Sequence, residues 1–165
     1  MTTDAIKAQA AAESSRAVVQ GFFNGFMTGY LQAVFDSFAP DVEYTVNTRD
    51  TVTREAIPWS TTFHGVAEVQ AFFGRLMENF DVLGFEVSAV LVEGHEAAAF
   101  GHFKYRAKPT GLDCETDWCA RFAIRDGRIA KYQFFEDSYA IARAFRRSGH
   151  WVLAVDHRTQ TVPAG

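Results

Sequence analysis

Trp59-Ser-Thr-Thr-Phe-His-Gly-Val-Ala-Glu-Val-Gln-Ala-Phe-Phe-Gly-Arg-Leu76 is the stretch that decides the fold. A short extended segment runs through Gly65 into a helix. Val66, Val69, Phe72, Phe73, Leu76, Met77 and Phe80 then recur at helical spacing, giving an apolar stripe to about Asn79. Such a stripe needs a sheet to pack on. The sheet follows as alternating runs at 84–93, 96–108, 113–125 and 128–136, punctuated by Gly94, by Pro109-Thr-Gly111 and by the Asp126-Gly127 hairpin turn.

Upstream, Ser14 or Ser15 is a plausible N-cap, and Val18, Val19, Phe22, Phe23 and Phe26 follow helical spacing until Gly29. Leu31, Val34, Phe35 and Phe38 form a second short helix, stopped by Pro40. Val42, Tyr44 and Val46 alternate as a first strand, and 47–57 reads as a polar loop, either a lid or a surface insertion. Asp137 or Ser138 caps a last helix, Tyr139 to Arg147. Helices first and antiparallel strands after them predict an α+β fold in which a curved antiparallel sheet wraps the N-terminal helices into a cone. The chain divides into a flexible tail at 1–13, either a frayed helix or disordered, a cone domain at 14–148 and a C-terminal extension at 149–165. In that extension Trp151-Val-Leu-Ala-Val-Asp156 is either an extra edge strand or a strap over a partner subunit, with Trp151 as its contact.

The 165 residues suffice for one domain with a sizeable core. A net charge of −4 with scattered Lys and Arg carries no footprint for nucleic acid or an anionic membrane. There is neither an apolar run near the ~18 residues of a membrane span nor a secretion signal, so the expected compartment is the cytoplasm. Cys114 and Cys119 lie on one strand with opposite parity and cannot bridge each other. No metal pattern and no cofactor motif is visible. The anomaly is phenylalanine, 16 residues against 3 Trp and 5 Tyr, which demands either an unusually aromatic core or an aromatic cavity.

Strand parity sorts the candidates. On 96–108, Ala99, Gly101, Phe103 and Tyr105 face the concave interior; Phe100, His102, Lys104 and Arg106 face out. On 113–125, Trp118, Ala120, Phe122 and Ile124 face in. A glycine bulge at Arg125-Asp126-Gly127 turns Tyr132, Phe134 and Glu136 inward; a tight two-residue turn would turn Lys131 and Gln133 inward instead. The expected ligand-binding residues are Tyr44, Trp59, Phe103, Tyr105, Trp118, Phe122, Tyr132 and Phe134, joined by Val46 and, from the helices, Phe22, Phe26, Phe73 and Met77. That lining suits a small hydrophobic ligand with one or two oxygens. Glu136 is the one inward carboxylate, a general base if burial raises its pKa. Asp137 is a second catalytic candidate or a helix cap, and His64 a third, or a cap or rim histidine. Phe100, Ile129 and Phe135 form an outward apolar set that predicts a homodimer through the outer sheet face.

Four segments together carry a resemblance: Ala17-Val-Val-Gln-Gly-Phe-Phe23, Phe38-Ala-Pro-Asp-Val-Glu-Tyr44, the aromatic-Gly65-x-x-x-Val69-x-x-Phe72-Phe73 pattern, and Arg125-Asp-Gly-Arg-Ile129, with Thr110-Gly111 between them. Over residues 14–148 the chain resembles the SnoaL-like, ketosteroid-isomerase-related branch of the nuclear transport factor 2-like superfamily, which implies a cystatin-like cone. These motifs set turns and packing and do not report a reaction. Matching to ketosteroid isomerases places their tyrosine on Phe22, their base on Val46 and their acid on Ala120, so that mechanism is disfavoured. Matching to limonene-epoxide hydrolases places their second aspartate on Phe134, and His102-Phe-Lys-Tyr-Arg106 offers no paired Arg and Asp. SnoaL-like cyclases use an aspartate late in the chain, which the resemblance lays near Asp137.

Three readings stay open. The first is a cofactor-independent isomerase, cyclase or dehydratase acting on a hydrophobic carbonyl compound, with Glu136 or Asp137 as base and Tyr44, Tyr105, Tyr132 or Trp59 steadying the enolate oxygen. The second is a non-catalytic binding protein for a small hydrophobe. The third is a protein-interaction module.

Overall fold

A computed structural model describes residues 3–47, 51–148, 150–155 and 158–163. Helix α1 spans Thr3–Met27 and α2 spans Leu31–Asp36. The helix expected to open at Ser14 or Ser15 begins at Thr3, because the alanine-rich stretch before those serines has high helix propensity without a face to bury. Ser15 is no cap: it is buried within the helix. Gly29, with φ of 72°, ends the turn after α1, and Gly25 lets α2 pack closely, since a Cβ there would lie 3.2 Å from Val34.

Strand β1, Phe38–Val46, starts earlier than the sequence suggests. Phe38 belongs to the strand and not to α2. Pro40 sits where the pairing of β1 is irregular, between Phe38 and Glu43, which is where a strand tolerates a missing N–H. The region read as a polar loop holds a short helix, α3, Thr51–Ala56, and residues 48–50 lie outside the described residues. Strand β2, Thr62–His64, leads into α4, Gly65–Asn79. Gly65 has φ of 75°, and a Cβ there would lie 3.2 Å from the Pro40 carbonyl oxygen, so the strand-to-helix corner requires glycine. Val69, Phe72 and Phe73 are buried along α4, whereas Met77, expected to point inward, lies on the flank of the stripe and is 41% exposed.

Four long strands complete the sheet: β3 Phe80–Glu93, β4 Glu96–Ala107, β5 Asp113–Arg125 and β6 Arg128–Glu136. The sheet order is β2-β1-β6-β5-β4-β3, antiparallel throughout except for the parallel β1–β6 pair. Helix α5, Ser138–Ala144, is shorter than expected. Beyond it, β7 His150–Val155 pairs with β8 Arg158–Pro163 as a separate two-stranded sheet, so β7 is not an added edge of the large one. The contact expected of the Trp151 side chain falls outside what is described. Among the described residues no helix is long and apolar enough to cross a membrane.

The inward faces of β4 and β5 match the alternation of the sequence: Ala97, Ala99, Phe103, Trp118, Ala120 and Phe122 are all buried. The hairpin between β5 and β6 reaches the expected face by another route. Asp126 and Gly127 both have positive φ, 52° and 71°, as a tight two-residue turn requires, and Arg125 pairs directly with Arg128. The pairing then shifts, with Ile124 opposite Ile129 but Ala123 opposite Lys131, so Ala130 is the extra residue of a bulge. Ile129, expected on the outer face, is therefore fully buried, and Tyr132, Phe134 and Glu136 still turn inward. Phe100 and Phe135 remain outward, 41% and 38% exposed.

Inside the cone the aromatic rings form layers. Phe22 meets Phe38, Phe122 and Tyr132 at centroid distances of 5.6, 5.8 and 5.5 Å. Trp118 stacks on Phe85 at 5.0 Å and on Phe134 at 5.5 Å. Each such ring buries a large apolar area with a further edge-to-face or stacking contribution of about 1 kcal/mol.

Candidate functional site

The rings do not fill the cone completely. A cavity of about 70 Å³ remains between the sheet and α1, α4 and α5. Phe26 from α1, Phe72, Phe73 and Leu76 from α4, and Ile141 from α5 form one wall. The sheet contributes Tyr44, Val46, Phe80, Phe85, Tyr105, Phe134 and Glu136, and Trp59 closes the side between α3 and β2. Trp59 is held edge-on against Phe80 at 5.8 Å and Phe145 at 5.2 Å.

The polar groups of this lining are few: the Glu136 carboxyl, the Tyr44 and Tyr105 hydroxyls and the Trp59 indole. Among the described residues, no Lys, Arg or His lines it. Burial pushes the Glu136 carboxyl up to about 7; the Asn47 hydrogen bond opposes that rise and the charge of Asp137 adds to it. Burial also carries Tyr44 and Tyr105 well above the ordinary phenol value, so both remain protonated donors. Tyr132 lies under Tyr44, stacked at 4.5 Å, and its hydroxyl interacts with that of Tyr44.

Asn47 is the residue that the sequence reading missed. It ends β1 at φ of 58°, is buried, and reaches across to the end of β6. Its amide Nδ2 donates to Glu136 Oε1 at 3.3 Å, and its Oδ1 accepts the Glu136 backbone N–H at 3.3 Å. Its own N–H donates to the Phe134 carbonyl at 2.6 Å, and Gln133 Nε2 donates to its carbonyl at 3.2 Å. The available signal was an asparagine directly after the alternating Val42, Tyr44 and Val46, because Asn is among the few non-glycine residues that accept a left-handed backbone.

Of the eight residues expected to line a site, Tyr44, Trp59, Tyr105 and Phe134 border the cavity. Phe103, Trp118, Phe122 and Tyr132 face inward but lie in the packed layers behind it, each at most 4% exposed. Phe122 is enclosed by Phe22, Phe23 and Tyr132, and Phe103 stacks behind Tyr105 at 4.3 Å. Phe22, also expected inward, belongs to the same packing.

The three catalytic candidates separate. Glu136 is in the cavity. Asp137 is exposed and its carboxylate is committed to α5, with Oδ1 accepting the N–H groups of Tyr139 at 2.9 Å and Ala140 at 3.2 Å. His64 is exposed at the start of α4, outside the cavity, because the alternation of β2 buries Phe63 and turns its neighbour out. There the His64 backbone N–H donates to the Glu68 carboxylate at 2.7 Å.

Residues 19–132, more than half of the chain, match the SnoaL-like domain. The chain belongs to this SnoaL-like family. Solved structures agree on the architecture. An NTF2-like protein of unknown function from Burkholderia pseudomallei is 18% identical with a TM-score of 0.72, covering 81% of this chain and 98% of its own. A protein named as a SnoaL-like polyketide cyclase from Mesorhizobium loti is also 18% identical, with a TM-score of 0.60, covering 73% and 97%. TerC, crystallised with polyporic acid, is 16% identical with a TM-score of 0.66, covering 78% and 95%. No curated protein matches the sequence. At these identities the likeness to solved structures establishes the SnoaL-like, NTF2-like fold; the chemistry has to be argued from the cavity.

Proposed function

We propose that this SnoaL-like protein is an enzyme that moves a proton on a small, uncharged, hydrophobic carbonyl compound, with Glu136 as the base. One observation carries the reading: a single carboxyl whose pKa is about 7 stands in an apolar cavity beside two tyrosines that stay protonated. A base with that pKa is half ionised at neutral pH and strong enough to take a proton from the carbon next to a carbonyl. Tyr44 or Tyr105 donates a hydrogen bond to the oxygen as it gains enolate character, an interaction worth roughly 10²–10³ in rate. The protonated Glu136 then returns the proton to a different carbon, which is isomerisation, or the enolate carbon attacks a second carbonyl carbon of the same molecule, whose C=O π pair moves to oxygen and takes the proton from Glu136, which is ring closure. The step needs a base and a hydrogen-bond donor, with no cofactor.

The described lining favours a neutral substrate, since a carboxylate or phosphate would meet Glu136 and aromatic or aliphatic walls there. The volume, about 70 Å³, is about half that of the ~150 Å³ apolar protein cavity that admits benzene, so a single ring fits with small movements of the walls and a fused polycyclic compound only with large ones.

The test is proton exchange in deuterated water, followed by NMR, on cyclic enones and aryl ketones. The protein should accelerate deuterium uptake beside the carbonyl, and Glu136→Gln should lose about 10²–10⁴ of that rate. Full exchange in Glu136→Gln overturns the assignment. Saturable binding with no exchange makes the cavity a binding site alone.

A further inference from the structure

We propose that Asn47 is a positioning residue, which aims the Glu136 carboxylate into the cavity and tunes it as a base. Asn47 is one of two non-glycine residues with positive φ among the described residues, and the other, Asp126, sits in a hairpin turn that demands it. No hairpin explains Asn47. A left-handed conformation in a buried residue persists where surrounding bonds over-determine it, and here four do: the Asn47 N–H to the Phe134 carbonyl, the Gln133 side-chain amide to the Asn47 carbonyl, and two bonds of the Asn47 side chain to Glu136.

The two side-chain bonds form a closed pair. Glu136 gives its N–H to Asn47 Oδ1 and takes the Asn47 amide hydrogen on Oε1, while the residue lines the cavity. The amide orientation is fixed by this pairing, because a flipped amide would set oxygen against carboxylate and N–H against N–H. Among the described residues, the other titratable groups felt by Glu136 or feeling it are Asp137 beside it in the chain, Tyr105 on β4, Cys114 on β5, Tyr44 on β1 and Tyr132 on β6, all neutral or acidic. Asn47 is thus the named donor that favours the ionised form of Glu136 in the site, and it acts through Glu136 without touching the reacting atoms.

This role rests on the proposed function only for its kinetic consequence, and the experiment separates the two. The Glu136 carboxyl is titrated by carbon NMR in the ligand-free chain, in Asn47→Gly and in Asn47→Asp. Glycine accepts the positive φ and removes the side chain, so the fold is kept while the donor is lost. The expected result is that Glu136 titrates higher than in the parent by about one pH unit in Asn47→Gly. In Asn47→Asp two adjacent acids share a proton, and the first deprotonation of the pair stays separate from the second. The ionisation limb of any exchange activity should move alkaline by the same amount. An unchanged Glu136 titration in folded Asn47→Gly overturns the proposal, as does an unchanged one in Asn47→Asp should the glycine variant fail to fold. A shifted titration in a chain that never exchanges a ketone proton would overturn the enzymatic reading and leave the role of Asn47 standing.

Discussion

Trp118 occupies the space that a side chain at Gly101 would take. The two are cross-strand partners on β4 and β5, and a Cβ built on Gly101 would lie 2.4 Å from the Trp118 ring and 1.9 Å from the Glu86 carbonyl of β3. Neither neighbour can withdraw, because the carbonyl is backbone and the indole is stacked between Phe85 and Phe134. Gly101→Ala should therefore destabilise the fold by on the order of 3 kcal/mol, the upper end for overpacking, read as a drop in the urea midpoint at unchanged slope. Trp118→Ala in the same background should recover part of that loss, since it vacates the ring while leaving the carbonyl clash.

Trp59 and Trp118 should respond differently to a ligand. Trp59 borders the cavity, whereas Trp118 is 3% exposed behind Phe85 and Phe134. In a fluorescence titration with an aryl ketone, Trp59→Phe should remove most of the saturable quenching and Trp118→Phe should retain it. The reverse pattern would place the ligand deeper, in the layer of packed rings.

That contrast marks where sequence stops being informative. Regular alternation assigned the inward faces of β4 and β5 correctly, since nothing interrupts the period of two between Ala97 and Phe103 or between Trp118 and Ile124. Parity names a side and not a depth: Phe103, Phe122 and Tyr132 point the same way as Tyr105 and Phe134, and only the neighbouring layer decides which ring is core and which is wall. Irregular backbone was the other blind spot. One bulge residue, Ala130, reversed Ile129, and one left-handed residue, Asn47, lay hidden at the start of what read as a featureless loop. The first helix began early for a third reason, because helix propensity in an alanine-rich exposed stretch leaves no periodic trace.

On the outer face, His102 should titrate above its ordinary 6.5. Nδ1 lies 2.9 Å from Asp117 Oδ1 and Nε2 lies 3.1 Å from Glu115 Oε1, so only the imidazolium, with a proton on both nitrogens, satisfies both carboxylates. The hydrogen bond to Asp117 is the larger cause of the upward shift, followed by that to Glu115. A histidine raised in the folded state contributes stability that is complete below its unfolded pKa and is lost as pH rises through the folded value. Asp117→Asn should lower the His102 midpoint in a proton NMR titration, and its stability deficit against the parent should shrink on the alkaline side of that midpoint. An unmoved midpoint would mean that the exposed pair is open in solution.

Glu136 should make the protein less stable as pH rises from acid to neutral, the opposite of a salt-bridged carboxylate. Its folded pKa, about 7, stands above the ordinary 4.5 that the unfolded chain retains. Between those two values the folded state holds a proton that the unfolded state has released, so the unfolding free energy falls with increasing pH; above 7 both states are ionised and the penalty is constant. A gap of this size corresponds to on the order of 3 kcal/mol. Glu136→Gln removes the titration while keeping an oxygen for the Asn47 amide to donate to. Its stability should therefore match the parent near pH 4 and exceed it at pH 8, a comparison of urea midpoints in which the titration of His102 and of the surface carboxylates cancels. A parent and variant that differ equally at both pH values would show that the Glu136 carboxylate is solvated in the folded protein, and would remove the physical basis for its action as a base near neutrality.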